Sequence, residues 1–560
     1  MVDEMTRRSM LATAAVGITS VALGEDARPK DVATVAKPNE GGRHLTLLHV
    51  TDTHAQIETH LEYLPGAVPE FRMMGGFARL KTAIDRERKS AQGACFLLDG
   101  GDEFQGSGPA AWSEGEVVLG PLNTFALDAY VPGNWDPAYG PKRFKELMRR
   151  LTAPVTCFNF HDTKTNQRIF APSLTLKRDG VKVSFIGIAD ILSSKRQPPV
   201  EYEGMDTTRM EGLREFIKVL RSEEKPDLVV LITHTGLTIA RQLARDIPEI
   251  DVVLSGHSHE RTEKPILEGH VIIVEPGSMG SFLGRLDLTL RPEGGVAHHK
   301  FHLIPIHAEE FPEDPQVKQL VENGLAPFRQ RMDEVVGVTQ TPILRYDVLE
   351  TSADDFITDA IREIAGTDIG LSNGFRFGLP IAVGDLRNAD LWNLLPMDAR
   401  MKAGWITGKE LRAYLERELE LVYSKHPMTL SGGWGPRASG LTMQYVVRLE
   451  PGKRLLSVQV NGREIEEERR YTVASCEREG EPLDVVCRIQ GTHEVKVLPT
   501  QLHEAIRMYL KAHPTISPRR EGRAYATDLA PVVFSQDAVV TDGTRGSFLP
   551  AIAPGKLKSE

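Results

Sequence analysis

Between Arg43 and about Leu303 the chain repeats one pattern: a short apolar run, a loop rich in Asp, His, Gly or Asn, and then a stretch with helical spacing. "HLTLLHV" ends at "TDTH", "CFLL" at "DGGD", "DLVVLI" at "THTG" and "DVVL" at "SGHSH". Runs this short and this apolar predict buried strands. Strands that each release polar residues at their C-terminal ends predict an α/β sandwich over residues 43–307, with a site on the loops along one sheet edge.

The pattern then changes. "FPEDPQVKQL" opens a helical stretch in which Pro315 can occupy the first turn, so residues 308–335 read as a connecting helix. A second α/β unit follows over residues 336–500. In it Ser352 can cap "ADDFITDAIREIAG", whose Phe356, Ile357, Ala360, Ile361 and Ile364 share one face, and Leu411, Leu415 and Leu419 recur every four residues. Residues 501–560 hold a last helix, "LHEAIRMYLKAH", and from about Pro514 a tail with no clear period, expected to be ordered in part at most.

A chain of 560 residues is too long for one ordinary core, which agrees with two domains. Apolar residues make up 41% and charged residues 26%, as in ordinary soluble protein. The net charge of −10 includes no dense Lys/Arg block, which argues against a nucleic-acid platform. The four cysteines form no CxxC pair and are too few for a disulfide scaffold; Cys476 and Cys487 could pair, but no spacing rule decides it.

At the N-terminus, "TRRSMLATAAVGITSVALG" places Arg7 and Arg8 directly before an apolar run, and polar "EDARPK" follows. That order is the order of a signal peptide, assigned to residues 1–28, and the twin arginine resembles a Tat export signal. No segment is long and apolar enough for a membrane span, so a periplasmic monomer is expected.

The strand-end loops together supply Asp52 and His54, Asp102, Asn134, His234, and His257 and His259. Seven oxygen or imidazole donors of this kind can surround two divalent metals, with Asp102 as the expected bridge. Carboxylates mixed with imidazoles suit manganese, iron or zinc, with manganese the first choice. Two such ions acidify a water between them and clamp a tetrahedral anion, so the expected reaction is hydrolysis. Asp136 is expected to support the site from behind, and His49 lies within a strand.

The set "DTH…GGD…GNWD…THTG…GHSH" resembles the calcineurin-like metallophosphoesterases, and "ETSADDFITDAIRE" with "SNGFRFG" is similar to the C-terminal domain of the 5'-nucleotidase family. The resemblance implies a four-layer α/β/β/α sandwich followed by a 5'-nucleotidase-like α/β domain. It implies that Asp52, His54, Asp102 and His259 hold one metal, and that Asp102, Asn134, His234 and His257 hold the other. It also implies that Arg376 reaches the substrate anion from the second domain.

"GNWD" departs from the nucleotidase pattern, in which a His stands where this chain has Trp135. That His helps neutralise charge or protonate the leaving group; an alkoxide needs such help, and an indole cannot give a proton. Thiols are far more acidic, so a sulfur leaving group can depart unassisted. "LLDGGDEFQGSGPAAWSEG", "GNWDPAYG", "GFRFG" and "YTVASCEREGEPLDVV" resemble the thiosulfohydrolases of the Sox sulfur-oxidising system. This branch implies sulfate release from a cysteine S-sulfonate on a carrier protein's C-terminal arm. "ASCEREGEPLDVV" also lacks the aromatic residues with which nucleotidases stack a base. Asn134 and Asp136, however, stand where His and Glu are expected in the Sox branch, which keeps a 5'-nucleotidase or other small-phosphoester hydrolase as the alternative and a non-catalytic binding protein as a third. In "SGGWGPRASG", Trp434 and Arg437 either line the mouth of an interdomain cleft, with Arg437 meeting an anion, or belong to a surface loop.

Overall fold

The computed structural model describes residues 43–65, 70–372, 378–424, 426–429 and 435–529. The signal-like segment, Arg376 and Trp434 lie outside the described residues.

Two sheets form the first domain. One has five strands in the order Val296–Pro305, Phe282–Leu290, Arg43–Val50, Ala94–Asp99 and Ala129–Tyr130, the last three mutually parallel. The other has six, in the order Ile266–Glu268, Val271–Val274, Val252–Ser255, Leu228–Thr233, Val181–Ile188 and Ser173–Arg178, with the inner four parallel.

Leu45, Leu47, Phe96 and Leu98 of the first sheet face Val183, Phe185, Val230 and Ile232 of the second in one apolar core. Phe96 and Phe185 meet edge to face with ring centroids 5.4 Å apart. The alternate residues point outward and are buried as well: Leu48 and Leu97 under the helix Phe77–Ser90, and Ile186, Val229 and Leu231 under the helices Leu213–Glu223 and Leu237–Asp246. Burial on both faces is why these strands read as unbroken apolar runs. The layers are helix, sheet, sheet and helix, and the parallel strands of both sheets end toward one edge.

The helix Pro315–Leu325 begins with Pro315 in its first turn, capped by the Asp314 carboxylate, which accepts from the Val317 N–H at 2.9 Å. Val317, Val321 and Leu325 pack into the first domain's core, so the connection is part of the sandwich wall.

The second domain is built on a sheet in the order Arg437–Ser439, Ile369–Ser372, Arg470–Cys476, Arg400–Thr407 and His493–Gln501. The helices Ser352–Ala365 and Leu502–Ala512 share one core with Met401 and Ala474, and Gly408–Tyr423 shares another with Leu371, Ile406 and Val473.

Two local expectations change. Thr351, not Ser352, caps the helix, because its hydroxyl accepts from the Asp354 N–H at 3.0 Å while Ser352 Oγ is engaged by the Leu344 N–H. The tail is also tied down as far as it is described: Thr515–Ile516 pairs with Val338 and Thr339, and Ala524–Ala526 with Met443 to Tyr445. Two short strands carry too few residues to show a period. Cys476 and Cys487 are free thiols with sulfurs 3.2 Å apart. Among the described residues no helix is long and apolar enough to cross a membrane.

Candidate metal centre

Val50 leads directly to Thr51 and Asp52, Asp99 to the loop of Asp102, Tyr130 to Asn134, Thr233 to His234, and Ser255 to His257. These turns demand unusual backbone. Asp52, His54, Asp102, His257 and His259 all have positive φ, between 48° and 80°. Non-glycine residues rarely adopt that conformation, and it concentrates at functional sites.

The side chains form two buried triads, Asp52–His54–His259 and Asp102–His234–His257. In the first, His259 Nε2 lies 3.2 Å from Asp52 Oδ1 and 3.0 Å from His54 Nε2. In the second, His234 Nε2 lies 3.1 Å from Asp102 Oδ2. Asn134 Oδ1 stands 2.7 Å from His257 Nδ1 and 3.1 Å from His234 Nε2. Asp102 Oδ2 is also 3.9 Å from His54 Nε2, so this carboxylate stands between the triads.

Neighbouring groups orient the donors. His54 Nδ1 faces the Gln105 carbonyl at 3.0 Å and His234 Nδ1 the Gly100 carbonyl at 2.6 Å, which places a proton on Nδ1 and turns each Nε2 inward. Asp52 Oδ2 accepts from Thr51 Oγ1 at 2.6 Å and the His257 N–H at 2.9 Å, while Asp52 Oδ1 lies among the imidazoles, 3.2 Å from His259 Nε2. Asp136 accepts from the N–H groups of Asp102, Glu103 and Gly133 and from the Tyr130 hydroxyl, bracing the Asp102 loop from behind. Glu275 accepts from Ser255 Oγ, Ser258 Oγ and the Glu260 N–H and so pins the loop of His257 and His259.

Burial pushes the Asp102 carboxyl up to about 7 against the pull of His234. Burial disfavours a charged His234, but Asp102 and Asp52 outweigh it and raise the ring to about 10. His54 is driven down to about 3, first by burial and then by His259. Burial works against an ionised Asp52, yet His234 and His259 hold it below the usual carboxylate range. Buried carboxylates gathered with inward-facing imidazole nitrogens fit divalent cations, because a buried charge needs a partner or a metal.

The structure thus gathers Asp52, His54, Asp102, Asn134, His234, His257 and His259. Trp135 stands beside them: its N–H donates to Asp102 Oδ1 at 2.7 Å, and its indole packs with Met279 and with Leu379 of the second domain. Arg437 requires a correction. It lies inside the second domain with its side chain 2% exposed, donating to the Asp347 carbonyl at 2.7 Å and pairing with Asp354 at 3.5 Å. It is not at the mouth of a cleft, because the fully buried Asp354 draws it and Arg345 inward.

Sequence reasoning did not find Glu275, Gln197 or Tyr202. Glu275 follows the strand Val271–Val274, and the strand-end rule that located the ligands applies to it equally. Gln197 and Tyr202 reach the Asn134 carbonyl from a segment with no periodic signal.

Residues 45–261 match the calcineurin-like phosphoesterases and residues 335–477 the 5'-nucleotidase C-terminal domain. The trifunctional nucleotide phosphoesterase YfkN of Bacillus subtilis is 24% identical over 82% of this chain, which spans only 32% of that longer protein. Among solved structures, the sulfate thiohydrolase SoxB of Thermus thermophilus superposes with a TM-score of 0.77 at 23% identity, covering 86% of this chain and 96% of its own. A 5'-nucleotidase precursor, also from Thermus thermophilus, superposes with 0.76 at 22%, covering 86% and 99%. Likeness at that identity speaks for the fold alone. With both domains matched in order and two buried donor triads at the sandwich edge, the chain belongs to the metallophosphoesterase/5'-nucleotidase family of metal-dependent hydrolases.

Proposed function

We propose that this chain is an exported, periplasmic two-metal hydrolase that releases sulfate from a cysteine S-sulfonate, or its persulfide homologue, on the C-terminal arm of a small carrier protein. The hydrolase part rests on the two adjacent triads with Asp102 between them. Asp52, His54, His259 and Asp102 would hold one divalent ion, and Asp102, Asn134, His234 and His257 the other, manganese first and zinc or iron as alternatives. When bound, such ions supply an acidified water and positive charge for the oxygens of a tetrahedral anion.

The leaving-group part rests on Trp135. Its indole fills the space between Met279 and Leu379 beside the second triad, and an indole N–H has no proton to give. A thiolate, whose conjugate acid has a pKa of about 8.5, departs without that proton, whereas an alkoxide does not. In the reaction a water oxygen bonds to the sulfonate sulfur, the bond from that sulfur to the neighbouring carrier sulfur breaks, one water proton passes to the departing sulfur and the other to solvent, and sulfate and a thiol, or a persulfide from the homologue, result. Arg376, outside the described residues, is the expected contact for the sulfonate oxygens.

A small-phosphoester or nucleotide hydrolase is the second reading, favoured by the name of the Bacillus subtilis relative and by Asn134 in the ligand set. A parallel assay of the manganese-loaded protein on 5'-AMP, bis-p-nitrophenyl phosphate and a cysteine S-sulfonate peptide separates them. We expect sulfate release with little phosphate. Brisk phosphate release from the nucleotide would replace the first reading with the second, and neither product would leave a binding protein.

A further inference from the structure

The peptide unit between Asn134 and Trp135 is held at both ends. Its N–H donates to Asp102 Oδ1 at 2.7 Å, and its carbonyl accepts from the Tyr202 hydroxyl at 3.0 Å and Gln197 Nε2 at 3.1 Å. All five residues are buried. One peptide plane therefore sets the direction of the Asn134 side chain toward His234 and His257, and also fixes the carboxylate that stands between the triads. Donors on a carbonyl polarise the N–H across the same peptide bond, so the contacts reinforce one another in series.

Gln197 precedes, and Tyr202 ends, a single tight turn, Pro199–Tyr202. The Tyr202 ring stacks on Phe160, with centroids 6.2 Å apart and planes 18° apart. The second domain grips this turn. Arg478, paired with Glu481 at 2.9 Å, donates to the carbonyl of Arg196, the residue before Gln197. Gly480 (φ +89°) approaches so closely that a Cβ there would lie 3.0 Å from Pro199 Cβ and 3.2 Å from Val200 Cγ1.

We propose that Tyr202 and Gln197 are positioning residues for the ion on the Asn134 side of the centre, acting through the Asn134–Trp135 peptide, and that Arg478 makes their placement depend on the second domain. Displacement of that domain loosens the turn, then the carbonyl, and then the hold on Asn134 and Asp102. This inference rests on the two-metal reading above, but not on the choice between sulfur and phosphorus substrates.

The test uses metal alone. The full-length protein and a Tyr202→Phe/Gln197→Met variant, which keeps both side-chain volumes, are loaded with manganese and dialysed against graded chelator, and retained metal is measured by elemental analysis. Wild type should retain two ions. The variant should retain one as wild type does and lose the other at about 10- to 100-fold lower chelator, the range for removing an outer hydrogen-bond partner of a metal ligand. Arg478→Ala should shift the same ion in the same direction by less, and Arg478→Lys should restore part of the loss. Coincident wild-type release curves, or loss of both ions together with a lower melting temperature of the metal-free protein, would overturn the relay. A wild type that retains fewer than two ions would overturn the two-metal reading, and the relay with it.

Discussion

One fully buried carboxylate in each domain shows two opposite ways of handling buried charge. In the second domain Asp354 is fully buried, and Arg345 lies 2.8 Å and Arg437 3.5 Å from its oxygens, with Thr351 adding a hydroxyl at 2.6 Å. In the sandwich, Asp52 is equally buried, yet its Oδ1 meets only imidazole nitrogens, His259 Nε2 at 3.2 Å and His234 Nε2 at 3.8 Å. A buried carboxylate surrounded by guanidinium groups is finished as structure. One that faces only imidazoles can exchange their protons for a cation from outside. Asp52 and Asp102 are the carboxylates that the proposed two-metal reading uses, while Arg437 lies in the interior of the second domain.

Asp102→Ala should break the contrast most severely. Removing the carboxylate between the triads should cost more than about a hundredfold in turnover, since even outer partners of ligands cost roughly 10- to 100-fold, and metal retention should fall with it. Turnover together with chelator titration checks both halves.

Arg437→Met should do the reverse: a loss of about 3 kcal/mol in urea unfolding, from a buried ion pair missing a partner, with turnover per folded molecule retained. If turnover falls and stability does not, Arg437 is an anion contact after all.

Glu201 sharpens the comparison with the smallest effect. It lies buried at the boundary between the domains with Oε2 lacking a hydrogen bond, and burial pushes its carboxyl up to about 8 against the pull of Arg478. This acid answers burial by keeping its proton. Its folded value lies above the ordinary one, so the native state holds a proton that the unfolded chain has released. Stability is therefore lost as pH rises from about 4.5 toward 8. Glu201→Gln should flatten that slope, raising the melting temperature by a few degrees at about pH 8 and leaving it nearly unchanged at about pH 5. Parallel melting curves across that range would exclude the protonated carboxyl.

The same contrast explains what could be read from the sequence. The seven donors were legible because each follows an apolar strand, and parallel strands in two stacked sheets deliver their ends to one edge. Arg437 was not, because a charged residue after a glycine-rich stretch looks the same whether it faces solvent or Asp354; only the tertiary partner decides. Thr351 and Ser352 are both competent caps, and the choice between them is made by the Leu344 N–H from another segment. The pairing of Thr515–Ile516 and of Ala524–Ala526 depends on distant edge strands that supply the period these short segments lack.

The left-handed backbone at five of the seven donors has an evolutionary consequence. Each such conformation costs an ordinary residue roughly 1–2 kcal/mol that glycine would not incur, and the total is comparable with the margin that keeps a domain folded. Selection for stability alone would drift Asp52, His54, Asp102, His257 and His259 toward glycine, each step gaining robustness while erasing a donor. That this sequence carries acids and imidazoles at all five of these angles, where glycine would be less strained, agrees with the two-metal reading proposed above.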